Sequence, residues 1–543
     1  MKLWVITALM IGLVSWSAAL VAQSPSWLWA HNATDSIYDR VECLTTDQDG
    51  NVIAAGYFTG FTITFGTVTL HKTSTFTMFL VKYDASGNVV WARNTGGTAR
   101  PWGVACDPSG NILMTGSFDG PFLILGSDTI FNAGFRDGFL AKYDAAGNVM
   151  WARPIGGTQD DYGASVACDA SGNVIVSGCF YSPVIHCGPF TLNNTGSYDI
   201  FLIKYDASGN VLWATSATGA GYEIGRSVTT YGSEDIYITG HYTGTLTFEN
   251  QTIYNNGSWD VYLTKYSGSG DVIWVRNFGD ALEDWPRDVV VDPSGNVYIA
   301  GSFRSTTLTV DTTTLTSQGF SDMFLAKYDA SGNYLWLKGA GGVYNDEAVS
   351  LACDLAGHVY TAGNFSSPEI YFDTFRLINA HWFSDPFLVR YDPDGNVEWA
   401  WSTGGYDDDG VNGVATDPQG NVAIGGYFIS DSLHIGAYTL INAGNDDLFT
   451  AKLESVILGV EPERLETRLS VFPNPAHDQL FIRSVDEKQT GMLEIFSITG
   501  QRMLEQEYHQ ATTPLDIHSF SSGMYLVRFT TRLRVASGFF VKH

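Results

Sequence analysis

Apolar residues in this chain come in short runs, and the runs end in turns. The stretch FLVKYDASGNVVWARN shows the unit: an apolar run, the turn D-x-x-G-N, and a second run of β-branched and aromatic residues. Aspartate caps backbone N–H groups in such a turn, and glycine followed by asparagine accepts positive φ. Two runs joined this way predict a β-hairpin. The hairpin KYDASGNVVWAR returns as KYDAAGNVMWAR, KYDASGNVLWAT, KYSGSGDVIWVR, KYDASGNYLWLK and RYDPDGNVEWAW, and a seventh copy, KLESVILG, breaks off. Its basic residue stands at Lys82, Lys142, Lys204, Lys265, Lys327, Arg390 and Lys452, a period of 60 to 63 residues.

A second phrase, of the type CDPSGNILMTGSF, occurs seven times between these copies and also reads as a hairpin. Internal repeats of this length build solenoids or propellers. Two hairpins make four strands, the content of one propeller blade. The second phrase supplies the inner strands, the KYD phrase the outer pair, and a variable segment such as TFGTVTL an extra hairpin on the rim. The unfinished seventh copy lacks its outermost strand, while WLWA near the N-terminus matches VVWA around Trp91. Counting Trp29 with Trp91, Trp151, Trp213, Trp274, Trp336 and Trp399 gives one tryptophan per blade. The N-terminal strand is therefore expected to complete blade seven and close the ring without open edges. Each indole is expected to wedge between blades with its N–H on a backbone carbonyl.

After Leu458 the repeat stops. GVEPERLETR reads as a charged linker, and LSVFPNPAHDQLFI, GMLEIFSITGQRMLEQE, LDIHSFSSGMYLVRF and GFFVKH follow as strands separated by turns. The expected fold class is all-β: a seven-bladed β-propeller closed by the N-terminal strand, plus a small C-terminal Ig-like β-sandwich. The first 23 residues hold one lysine, an apolar core and small residues around Ala19 to Gln23, the pattern of a cleaved export signal; a retained membrane anchor is the alternative. The expected division is 1–23 signal peptide, 24–456 propeller, 457–468 linker and 469–543 C-terminal domain.

These phrases carry two resemblances. WARNTGG followed by VACDPSGNILMTGSF resembles the bacterial seven-bladed β-propeller repeat family, which implies an exported binding or surface module. The tail resembles the C-terminal sorting domain of the type IX secretion system of Bacteroidetes-type bacteria. Pro473, Asn474 and Pro475, then Gly500 after Thr499, then Gly523 and Tyr525 match its three signature turns in order. That resemblance implies recognition by outer-membrane secretion machinery and a location at the cell surface or in the medium.

Composition narrows the partners. A formal charge of -28 over 543 residues argues against nucleic acid and anionic membrane surfaces, whose phosphates require basic patches. Cations, neutral glycans and proteins stay open, and no integral membrane segment is expected after signal cleavage. Cys106, Cys168 and Cys353 share one repeat position with threonine and valine and read as small buried strand residues. Cys179 and Cys187, in SGCFYSPVIHCG, are candidates for a disulfide across a hairpin.

A residue present in every blade is placed there by the fold, whereas a catalytic site must break the repeat. Asp137, Asp199, Asp260, Asp322, Asp385 and Asp447 precede each FLxKY strand, with Thr77 in the first copy, and read as strand caps. Asp39, Asp161, Glu223, Asp284, Asp346 and Asp409 precede each inner hairpin, with Ala99 as the exception. They read either as loop-ordering acids or as hard oxygen ligands for calcium at a cation-attracting mouth. The turns DQDGN and DPDGN are not calcium loops, because their third position varies and no bidentate glutamate follows. Pro101, Trp102, His186, Trp285, Pro286, His381 and Trp382 break the repeat on loops. No HExxH, G-x-S-x-G, phosphate loop or Cys-x-x-Cys occurs, and no cofactor other than calcium is suggested. The expected function is binding of an unknown surface protein or glycan; the alternative is a secreted hydrolase or lyase using asymmetric loop residues.

Overall fold

The D-x-x-G-N turn forms as its chemistry dictates. In the computed structural model Asp84 Oδ1 accepts the N–H groups of Ser86 and Asn88 at 2.9 and 2.8 Å, and Gly87 sits at φ 88°. The structure describes residues 26–33, 37–379, 381–454, 470–483, 491–497, 502–508, 515–530 and 535–542. The export signal and the linker lie outside them. The chain separates into two compact units, divided between Ser455 and Val456.

The larger unit is built of four-stranded antiparallel sheets, the blades. The third is representative: Asp161–Cys168, Val174–Phe180, Asp199–Tyr205 and Val211–Gly219, in that order from the inside outward. Its two middle strands are buried at every position, because each sheet has a neighbour on both faces. That explains why their apolar runs do not alternate. Between them a short hairpin, Val184–Cys187 with Phe190–Asn193, lies on the rim. In the first two blades one long strand, Val89–Cys106, serves as outer strand of one and inner strand of the next.

Two contacts repeat around the unit, the first between neighbouring blades and the second within each blade. Trp91 Nε1 donates to Ala145 O at 3.1 Å, Trp151 Nε1 to Ala207 O at 3.2 Å and Trp213 Nε1 to Gly268 O at 3.0 Å, each acceptor lying in the outer turn of the following blade. The indole packs so closely on that turn that a Cβ on Gly147 would lie 3.0 Å from the Trp91 ring. The repeated lysine, itself buried, pairs with the turn aspartate of its own inner hairpin. Lys82–Asp47, Lys142–Asp107, Lys204–Asp169 and Lys452–Asp417 are 2.8, 2.8, 2.9 and 2.7 Å apart. In blade six the lysine is Arg390, which pairs with Glu398 at 2.8 Å, while Asp354 turns to His358 at 2.9 Å. Three sequence changes there compensate one another.

Inner strands stand side by side around the unit, and the last, Asp409–Thr416, lies beside the first, Asp39–Thr46. The strand Trp27–Asn32 pairs antiparallel with Asp447–Leu453, in the register Ala30 opposite Ala451. Trp29 is 3% exposed. Removing Ser26 to Asn32 opens a sheet edge and deletes that side chain, for which truncation of a buried tryptophan alone costs about 3–5 kcal/mol. The expected outcome in a thermal melt is a clear fall of the midpoint; an unchanged midpoint would contradict closure by this strand.

The smaller unit contains two sheets. Ser470–Phe472, Gln479–Arg483 and Leu515–Asp516 form one, and Arg502–Tyr508, Gly491–Ser497, Gly523–Thr530 and Val535–Lys542 the other. Leu480, Leu493, Ile495, Leu515, Val527 and Phe540 form its core. No helix among the described residues is long and apolar enough to cross a membrane.

Candidate functional site

Every inner strand contains a β-bulge at the same place. Its pairing with the second strand skips Glu42, Trp102, Ala164, Arg226, Arg287, Val349 and Asn412 in turn. A bulge re-aims one side chain out of the alternation. Here all seven line one cavity of about 450 Å³ at the axis of the unit, together with Tyr162 and Cys179. The bulge is repeated by the fold, but its residues are not repeated. Along this ring charge, aromaticity and size vary, as they also do two residues earlier in the same strands, at Arg40, Arg100, Tyr162, Ile224, Trp285, Glu347 and Gly410.

Two of the seven are neighbouring arginines. Arg287 donates Nη2 to Glu347 Oε2 at 2.7 Å, and its Nε has no acceptor among the described residues. Arg226 is exposed along the channel and makes no hydrogen bond or ion pair with a described residue. Protein walls strip part of its water, and this desolvation, with Arg287 nearby, lowers its pKa; an arginine stays charged regardless. Behind them His241, 5% exposed, packs edge-on against Trp259 at 4.8 Å, and its Nδ1 has no partner among the described residues. Burial and the two arginines hold its pKa well below the usual histidine range, so it is neutral. Trp102 is 42% exposed, with its Nε1 on Ser117 Oγ at 3.1 Å. A row of rings links Tyr162 to Tyr198, Tyr222 and Trp259, with centroid spacings of 6.1, 6.2 and 5.7 Å.

The calcium candidates lie elsewhere. Asp39, Asp161, Glu223, Asp284, Asp346 and Asp409 are each 0% exposed, inside the junctions between blades rather than at the mouth. Asp161 shows why. Its Oδ1 accepts N–H groups from Tyr181 and Ser182, and its Oδ2 accepts Gly157 N–H at 2.7 Å and the Ser182 hydroxyl at 2.6 Å. Four donors occupy its lone pairs and order the loop. Among the described residues no group of three or more His, Cys, Asp and Glu is arranged to hold a metal.

The two acid series meet in pairs. Asp137 faces Asp161, Asp199 faces Glu223, Asp260 faces Asp284, Asp322 faces Asp346 and Asp385 faces Asp409. A backbone bond fixes each meeting: Glu223 N–H donates to Tyr198 O at 2.8 Å and Asp409 N–H to Ser384 O at 2.8 Å. At the junction where Ala99 N–H meets Phe76 O, the two partners are Thr77 and Ala99, so both exceptions of the sequence fall at one joint. The strand-cap role also holds, since Asp137 Oδ2 accepts Ala133 N–H at 2.7 Å.

Burial first, and then the facing carboxylate, push Asp137 up to about 7, Glu223 to about 8 and Asp385 to about 8. Unfolded carboxyls titrate at about 3.9–4.3. The folded state therefore holds extra protons, and the stability they contribute is complete below about pH 4 and lost as pH rises toward 8. Thermal midpoints are expected to fall between pH 5 and pH 8.5, and to fall less in a Glu223→Gln, Asp385→Asn variant. A midpoint that rises over that range would contradict the pairing.

Other sequence candidates are dispersed. Cys179 and Cys187 are free thiols in different sheets: Cys179 stands opposite Tyr162 and Ile200 in the blade, and Cys187 opposite Phe190 on the rim. They do not face each other across a hairpin, which corrects the disulfide expectation. Cys106, Cys168 and Cys353 are half-buried and line the channel below the mouth. His186 is on a rim hairpin beside Thr191, and Trp382 is 77% exposed next to Tyr344. In the smaller unit Pro473, Asn474 and Pro475 are exposed, and Asn474 Oδ1 accepts Val541 N–H at 2.9 Å, tying that turn to the terminal strand. Tyr525 is buried with its hydroxyl on Ser521 O at 2.8 Å, Gly523 opens its strand, and Gly500 lies outside the described residues. Sequence reasoning missed Glu42, Arg226 and Arg287. Aligning the repeats on the acid three residues earlier displays them as one variable column.

Comparison with known proteins agrees with both units. Residues 470–542 match the family described as secretion system C-terminal sorting domain, and residues 273–302 match the β-propeller repeat. A WD repeat-containing protein of Acanthamoeba polyphaga mimivirus is 24% identical over 464 residues, covering 67% of this chain and 33% of its own. The regulatory protein FlaEY of Caulobacter vibrioides is 31% identical over 177 residues, 31% of this chain and 18% of its own. The chain thus spans a third or less of either curated relative. Among solved structures, Sqt1 of Chaetomium thermophilum aligns with 80% of this chain and 99% of its own at 9% identity, with a TM-score of 0.38. A protein of unknown function from Bacteroides caccae aligns with 58% of this chain and 94% of its own at 9% identity, with a TM-score of 0.28.

Proposed function

The chain carries a β-propeller repeat and a type IX C-terminal sorting domain, a secreted or cell-surface protein by that address, and we propose that it is an exported binding module working through the mouth of a seven-bladed propeller. In this reading residues 1–23 are the export signal, 24–456 the propeller closed by its N-terminal strand, 457–468 the linker and 469–543 an Ig-like sorting sandwich read by the type IX machinery. One observation carries the binding role: the bulge ring keeps its position in every blade while its residues differ in every respect that recognition uses. Repetition conserves the frame, and the bulge column varies at the point where seven strands converge. The ligand is a surface protein or glycan.

A second reading, a secreted hydrolase or lyase, draws on the same ring, because Glu42 and the two arginines are unrepeated ionisable groups. Burial raises the Glu42 pKa, as a general acid requires. Release of new reducing ends or of unsaturated sugar from a bound glycan would favour it over simple binding.

Two outcomes test the proposal. Full-length protein is expected to select ligands on a glycan array, and Ala164→Trp, which fills the mouth, is expected to lose them with an unchanged melting midpoint; retention by that variant would move the site elsewhere. Removing Leu469 to His543 is expected to leave a folded propeller in the periplasm, while the full chain reaches the surface or medium. Equal export of both forms in cell fractionation would reduce the tail to an accessory domain.

A further inference from the structure

The mouth brings both signs of charge together in a chain that carries -28 overall. Two neighbouring arginines of the bulge ring, Arg226 and Arg287, face the cavity, and Arg287 pairs with Glu347. Arg226 has no partner among the described residues, Arg287 keeps its Nε free, and the buried His241 Nδ1 beside them is also unmatched. The Arg287 Nε is a buried donor without an acceptor among the described residues, which is costly unless one arrives, and Arg226 beside it is open to the channel. Planar guanidinium groups suit a carboxylate, which accepts two parallel N–H bonds.

The surroundings specify what carries that carboxylate. Trp102 stands exposed on the ring, and a row of rings links Tyr162 of the cavity wall to Tyr198, Tyr222 and Trp259, with Tyr222 48% exposed. Aromatic faces in sequence, each with a polar tip, suit an extended ligand of stacked rings. Glu42 and Glu347 at the same mouth repel a second and third negative charge. A dense polyanion is therefore disfavoured, and a chain with one acidic end is favoured. Resting on the binding reading above, we infer that the mouth takes a largely neutral glycan whose terminal sugar bears a carboxylate, held by Arg226 and Arg287 and stacked against Trp102.

Calorimetric titration of the full-length protein tests this with three probes: a β-1,4-linked glucose tetramer capped by glucuronate, the same tetramer capped by glucose, and a galacturonate tetramer. The glucuronate-capped probe is expected to bind at least tenfold tighter than the other two. Arg226→Gln is expected to erase that preference. Trp102→Ala is expected to weaken both capped probes together. Equal affinity for the neutral and glucuronate-capped probes, or a preference that survives Arg226→Gln, would overturn the carboxylate assignment and leave the mouth as a binding site. Tightest binding of the galacturonate tetramer would overturn the single-charge argument. No binding of any sugar, with Ala164→Trp abolishing capture of a surface protein, would overturn the glycan and retain the mouth.

Discussion

Each blade is held to the next by one indole. The tryptophan of the outer strand lies on the neighbour's D-x-x-G turn and donates its N–H to a carbonyl of that turn, as Trp151 does to Ala207 at 3.2 Å. The contact constrains three other parts of the repeat. The turn needs glycine, both for positive φ and because a Cβ on Gly209 would lie 2.8 Å from the Trp151 ring. It needs aspartate to hold the turn's N–H groups. It also anchors the buried lysine, since Lys204 reaches from Asp169 to Gly268 O of the next blade. A phrase repeated so faithfully records a joint repeated around a circle. Two joints lack the bond among the described residues: Trp336 packs on Gly395 of its neighbour's turn without an acceptor for Nε1, and Trp399 faces blade seven. At the second of these the outer strand comes from the N-terminus, and Trp399 Nε1 has no acceptor among the described residues.

A frame this uniform leaves little freedom for function. Residues that form joints change only with their partners, as Thr77 does with Ala99, so specificity gathers where a side chain leaves the sheet. The bulge does this without altering the hydrogen bonds on either side, so Glu42, Trp102, Arg226 and Arg287 can diverge at little expense to the fold. The acid pairs have the opposite character. They are buried, shared between blades and ordered by backbone donors, and their raised pKa values reflect burial of like charges rather than a catalytic need.

Much of this was legible in the sequence, because the period, the turn residues and the missing seventh tryptophan are local facts about words and spacing. Closure by WLWA followed from counting, and the structure has that strand on Asp447–Leu453. What lay beyond it were relations across junctions. The series of Asp137 and the series of Asp161 each looked complete, and Thr77 and Ala99 looked like two separate exceptions until the fold placed them together. The spacing of Cys179 and Cys187 suggested a hairpin, but the chain leaves the blade after Phe180 and forms a new sheet from Val184. The bulge was invisible for a different reason. A period of two assigns every residue to one face, and an extra residue breaks the count without leaving a mark in composition.

The central claim, that the variable ring at the channel mouth is where this exported propeller meets its ligand, is tested most directly by hydrogen exchange of the full-length protein with and without the glucuronate-capped tetramer. The account predicts slower exchange in the amides of 40–43, 101–103, 162–165, 224–227 and 285–288, with the rim hairpins and outer strands unchanged. Protection confined to the rim hairpins, or spread evenly over all seven blades, would contradict it.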